Sequence, residues 1–140
     1  MTKLLDTNVV SEIRRPAPDQ SVLRWLGTIG YRDAYLSVVS VSEIRLGIER
    51  LPDGRRRALL EHWLEHEIAD DFGDRLLPIN EAVADRCGVI RARALIAGRP
   101  MSIMDAFIAA TADVHGLTLV TRNVRDFEVW GGPIFNPWAD

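Results

Sequence analysis

Ile103-Met104-Asp105-Ala106-Phe107-Ile108-Ala109-Ala110-Thr111-Ala112-Asp113-Val114-His115-Gly116-Leu117-Thr118-Leu119-Val120-Thr121 is the stretch on which the fold turns. Residues 103–115 read as a helix that Gly116 ends, and residues 117–121 form a near-continuous apolar run of strand length. Upstream, Val83, Cys87, Ile90 and Ala94 follow one another at i, i+4, i+7 and i+11, the stripe of a buried helix that Gly98-Arg99-Pro100 stops. Further strands are expected at residues 3–6, 34–37 and 75–79, and a short one at 133–135. Helices are expected around Leu23–Ile29, Val41–Ile48 and Leu59–Ile68, with a turn at Pro52-Asp53-Gly54. Strands that alternate with helices and are apolar on both faces predict an α/β fold, a mostly parallel sheet of about four or five strands flanked by helices.

The 140 residues suit a single domain spanning 1–140. No apolar run approaches the roughly 20 residues that cross a bilayer, and the N-terminus lacks a signal-peptide pattern, so no membrane association is expected. The one cysteine excludes an internal disulfide and points to a reducing, cytoplasmic setting. Seventeen basic against twenty acidic side chains leave a net charge of −3, which argues against a basic nucleic-acid binder. Only Lys3 among the basic residues is Lys. The remaining excess of Arg fits phosphate recognition, and it also fits a GC-rich genome.

In parallel sheets ligands gather beyond the carboxyl ends of the strands. Acids stand at such places: Asp6 directly after the first strand, then Glu43, Asp105 and Asp126, each three residues after Ser40, Ser102 and Asn123. Singly, each acid is explained as a helix cap or a partner of the helix dipole. Together they suggest a crevice of converging carboxylates, whose mutual repulsion a cation relieves. Oxygen ligands without His or Cys suit Mg²⁺ or Mn²⁺, and the chemistry of such a site is hydrolysis of a phosphate ester.

The segments Leu4-Leu5-Asp6-Thr7-Asn8, Ser42-Glu43-Ile44, Met104-Asp105-Ala106-Phe107-Ile108-Ala109-Ala110-Thr111-Ala112 and Leu119-Val120-Thr121-Arg122-Asn123-Val124-Arg125-Asp126-Phe127 resemble the signature blocks of PIN-domain ribonucleases. More narrowly the chain resembles VapC-type toxins of toxin–antitoxin pairs, in the FitB-like branch, of which the closing Asn136-Pro137-Trp138 is also typical. The resemblance implies a three-layer PIN-like fold and an Mg²⁺- or Mn²⁺-dependent endoribonuclease with Asp6, Glu43 and Asp105 as metal ligands. It further implies a cut leaving a 5′-phosphate and a 3′-hydroxyl, a homodimer, and a VapB-type antitoxin that blocks the site and carries the complex to operator DNA. The family often has Asp where this chain has Asn123, so either Asn123 or Asp126 is expected to complete the catalytic set. Thr7, Asn8 and Thr121 match positions that orient the acids or meet the substrate. Arg122 and Arg125 are expected to bind substrate phosphates, with Arg14, Arg15 and Arg45 also flanking the motifs.

Two other patterns carry less. His62-Trp63-Leu64-Glu65-His66 fits the H-x-x-E-H spacing of some zinc proteases. Its two His are expected on a solvated helix face without a third ligand. Cys87 lies on an apolar stripe and reads as a core residue. Two rival functions remain. One is a non-catalytic protein-binding module whose acids are caps. The other is a phosphatase with Asp6 as nucleophile, which the Asn at position 8 disfavours.

Overall fold

The structure, a computed structural model, describes residues 2–139. Five parallel strands form one sheet in the order β3-β2-β1-β4-β5. They are β1 (Lys3–Leu5), β2 (Ala34–Ser37), β3 (Leu76–Leu77), β4 (Thr118–Val120) and β5 (Ile134–Phe135). Leu4 pairs with Tyr35 and Leu119, and Leu5 with Leu36 and Val120. Because side chains alternate across a strand, this register sends Leu4 and Leu119 to one face and Leu5, Leu36 and Val120 to the other.

Each face is covered, which makes three layers. On the first, Leu4 and Leu119 pack with α6 (Glu81–Ile96) and α7 (Ile103–His115). The expected stripe of Val83, Cys87, Ile90 and Ala94 is buried there. On the second, Leu5, Leu36 and Val120 meet Val9 and Val10 of α1 (Thr7–Ile13) and Val22 of α2 (Gln20–Leu26). Ile44 and Ile48 of α3 (Val38–Glu49) complete that core with Trp63, Leu64 and Ile68. Each large apolar side chain so buried stabilises the fold by about 1.5–3 kcal/mol. In α7 four alanines, Ala106, Ala109, Ala110 and Ala112, are fully buried, and their small side chains let the helix lie close against its neighbours. Gly116 ends α7 at φ 65°, and the Leu117 N–H returns to the Ala112 carbonyl at 2.8 Å. That left-handed cap turns the chain straight into β4.

Four local expectations change. Residues 7–13 form a helix where none was expected, begun by the Asp6 carboxylate accepting the Thr7 N–H at 2.8 Å. Helix α3 starts at Val38 and is capped by Ser37, so Ser40 lies inside it and Glu43 is no capping-box acid. The expected helix through residues 59–68 is α4 (Arg55–His62), a π-helical turn (Trp63–Glu67) and α5 (Ile68–Phe72). The strand expected at 75–79 shrinks to β3, since Pro78 has no N–H to continue the ladder. Helix α8 (Val124–Phe127) follows β4.

From β1 the chain moves one way to β2 and β3, then crosses back to place β4 on the other side of β1. The boundary between β1 and β4 is therefore the switch point of the sheet, where parallel α/β folds bind ligands. Asp6 and Thr121 are the residues that directly follow those two strands.

Candidate active site

Asp6 follows β1 and is only 6% exposed. Its Oδ1 accepts the Thr7 N–H, and its Oδ2 accepts the Thr121 hydroxyl at 2.7 Å. The carboxyl is pushed up to about 6, chiefly by burial. The negative charges of Glu43 and Asp105 add to the rise, while the two hydrogen bonds oppose it. Asp105, in the first turn of α7, is also raised, first by burial and then by the charges of Asp126 and Glu43. A hydrogen bond with Ser102, which caps α7, lowers it. The structure thus places Asp6 in the fields of Glu43 and Asp105, and Asp105 in those of Glu43 and Asp126.

The neutral residues hold this cluster in place. Thr7 Oγ1 lies 2.5 Å from Glu43 Oε1 and 2.8 Å from Ser40 Oγ. A hydroxyl has one proton and a carboxylate has none to give, so Thr7 donates to Glu43 and accepts from Ser40. Ser40, fully buried, is a site residue that the sequence reading took only for a cap. Its signal was its place one turn before Glu43. Thr121 Oγ1, besides donating to Asp6, accepts the Asn123 N–H at 3.0 Å and the Asn8 amide at 3.3 Å. The Asn8 side-chain Oδ1 in turn accepts the Arg122 backbone N–H at 3.4 Å.

These bonds give three of the expected site residues an orienting role. Thr121 is fully buried and Thr7 is tied to Glu43 and Ser40, so both orient acids. Asn8 straps α1 to the turn after β4. Asn123 caps α8 through its backbone carbonyl, which accepts the Asp126 N–H at 3.0 Å. Its side chain makes no capping bond.

The cations sort themselves as well. Arg45 is held by Glu49 and Glu65, and Arg15 by Glu12. Arg122 lies over the Trp138 ring at 5.4 Å. Arg125 makes no ion pair with any described residue and lines the recess shared with Asp105 and Asp126. His62 and His66 lie with tilted rings 4.8 Å apart on the exposed side of their helix.

Carboxylates and an amide, without His or Cys, suit a hard divalent cation, and so does a cluster whose charges repel one another. Among the described residues, no three His, Cys, Asp or Glu side chains are placed to hold an ion as they stand. The acids sense one another without touching, so ligation would need side-chain rotation or bridging water.

Comparison with known proteins places this geometry in a wider setting. The PIN domain family profile matches residues 3–130. The chain is 42% identical over 137 residues to Toxin FitB of Neisseria gonorrhoeae, covering 98% of this chain and 99% of that protein. It is 36% identical over 135 residues to VapC ribonuclease Y4jK of Sinorhizobium fredii, covering 96% of each. A chain in the solved structure of FitAB bound to an IR36 DNA fragment superposes with a TM-score of 0.92 at 39% identity, covering 99% of this chain and 97% of that one.

Proposed function

The chain belongs to the PIN domain family, in the branch of the FitB toxin, and from that premise we propose that it is a divalent-metal-dependent endoribonuclease serving as the toxin of a toxin–antitoxin pair. The observation that carries the reading is the carboxyl of Asp6, held buried at the switch point beside the charges of Glu43 and Asp105. A helix cap needs no second acid beside it. A buried carboxylate beside like charges is costly unless a cation compensates it.

In this reading Asp6, Glu43 and Asp105 hold Mg²⁺ or Mn²⁺, and Asn123 or Asp126 completes the set. The ion supplies neutralising charge and polarises both a phosphoryl oxygen and the attacking water. Thr121 keeps Asp6 turned toward the site, and the pair Ser40–Thr7 does the same for Glu43. No protein nucleophile is required, and the phosphodiester is cut to a 5′-phosphate and a 3′-hydroxyl. Two relatives named toxin and ribonuclease support the activity. The FitAB complex on DNA supports an antitoxin partner that takes the pair to operator DNA. A homodimer belongs to the same proposal.

The test incubates the purified chain with end-labelled single-stranded RNA, with Mg²⁺, with Mn²⁺ or with EDTA, beside Asp6→Asn and Asp105→Asn. Metal-dependent cleavage that both substitutions abolish is expected. The same behaviour from all three proteins would return the acids to the role of caps on a binding module.

A further inference from the structure

Two recesses border the acid cluster, one on each side. The first, of about 430 Å³, opens beside Asp105 and Asp126, with Arg99 and Arg125 at its rim and Pro100 and Met101 as walls. The second, of about 240 Å³, opens beside Glu43 between α1, α3 and α4, with Arg14 and Arg56 at its rim and Leu60 and Trp63 as walls. Both set acid beside two guanidinium groups, and the second is the more apolar of the two.

The guanidinium groups are available. Arg56 and Arg125 pair with no carboxylate among the described residues. Arg14 lies over the Trp63 ring at 4.9 Å and reaches Glu67 only at 3.9 Å. Arg99 stands 3.7 Å from Glu128 and donates to the Arg125 carbonyl at 3.2 Å, which ties the two rim residues together. Arg57, next to Arg56, is by contrast engaged by Glu49 at 3.0 Å and Glu61 at 2.8 Å.

Building on the ribonuclease reading, we propose that one single strand of RNA runs through both recesses. Its scissile bond is centred on the acids, with neighbouring phosphates held by Arg14 and Arg56 on one side and by Arg99 and Arg125 on the other. The physical reason is electrostatic. A phosphate approaching several carboxylates on a chain of net charge −3 is repelled unless its neighbours are compensated close by. Compensation on one side alone leaves the strand free to swing away, whereas two anchors fix the bond between them. The apolar walls of the second recess favour a single strand. An A-form duplex turns its bases inward and offers mainly phosphates and sugars, leaving those walls uncovered, while an unpaired strand can lay its bases against them.

The test measures binding by fluorescence anisotropy of labelled single-stranded RNA and of the matching duplex, across salt concentration. All proteins carry Asp105→Asn, which stops cleavage in the ribonuclease reading. Arg56→Glu and Arg125→Glu are each expected to weaken single-strand binding about tenfold or more. Arg56→Ala and Arg125→Ala should each lower the slope of log affinity against log salt by about 0.7, the value for one phosphate contact on a single strand. Arg91→Glu, on the exposed side of α6 and outside both recesses, should leave affinity within about twofold, since surface charges remote from a ligand are screened. Thermal melts check that each variant is folded. A strand bound as tightly by Arg56→Glu or by Arg125→Glu as by the parent overturns the two-sided path and leaves the ribonuclease reading intact. Tighter binding of the duplex also overturns it. No binding by the parent at low salt overturns both.

Discussion

Replacing Asp6 with Asn removes a charge that the fold holds at a cost. The gap between the ordinary carboxylate value of 3.8 and about 6 corresponds to about 3 kcal/mol at about 1.4 kcal/mol per pH unit. Between about pH 4 and pH 6 the unfolded chain gives up this proton while the folded chain keeps it. The folded state therefore binds more protons there, and its stability declines as pH rises through that window. Above it the whole cost is present, and below it none is. Asn does not titrate and escapes the cost. It keeps an oxygen for the Thr7 N–H but turns an amide toward the Thr121 hydroxyl, which loses its acceptor at a cost of about 1–2 kcal/mol. The net gain at neutral pH is about 1–2 kcal/mol, which raises Tm by about 4–8 °C in a chain of this size. Melts of both proteins followed by circular dichroism in EDTA, from about pH 4 to pH 8, measure it. Asp6→Asn should be the more stable at neutral pH and lose that advantage toward pH 4. A difference that stays flat across pH, or a variant less stable at neutral pH, refutes the reasoning.

Thr7→Val removes the hydroxyl between Ser40 and Glu43; loss of a bond to a charged group costs about 1.5–3 kcal/mol. Thermal melts should show that loss, RNA cleavage should slow about tenfold, and Thr7→Ser should restore both. Asn123→Asp adds a fifth acid, so calorimetry should find tighter Mn²⁺ binding, and melts in EDTA a lower Tm. Gly116→Ala forces a Cβ into φ 65°, which costs about 1 kcal/mol. Its Tm should fall by about 4 °C with cleavage at room temperature unchanged.

The sheet and the helices of the second half were legible because each carried an unambiguous period and punctuation. Gly116 sits between a helix with a buried alanine-rich face and a strand whose Leu119 and Val120 are buried. Ser102 caps α7 and receives the Asp105 N–H at 3.2 Å, as its spacing implies. Helix α1 escaped notice because Val9, Val10 and Ile13 are poor helix formers with strand-like chemistry. Packing against the sheet and the Asp6 cap outweigh that propensity. The start of α3 was misplaced because Ser37 and Ser40 are both able caps around a run of valines, and only the sheet register decides between them. That shift is why Glu43 faces Thr7 instead of closing a capping box. The roles of Ser40, Thr121 and Asn8 rest on bonds between residues 33 to 115 positions apart, which no local pattern encodes. The π-helical turn at Trp63–Glu67 likewise depends on tertiary packing, since it lets Trp63, Leu64 and Ile68 all reach the core.

Whether Asp6, Glu43 and Asp105 gather a divalent cation is tested most directly by calorimetric titration of Mn²⁺ into the wild-type chain and into Asp105→Asn at neutral pH. Saturable binding by the wild type, lost or weakened at least about tenfold in the variant, is the predicted result, since a charged oxygen ligand is replaced by a neutral one. Binding of equal strength by both proteins, or none by the wild type, contradicts it.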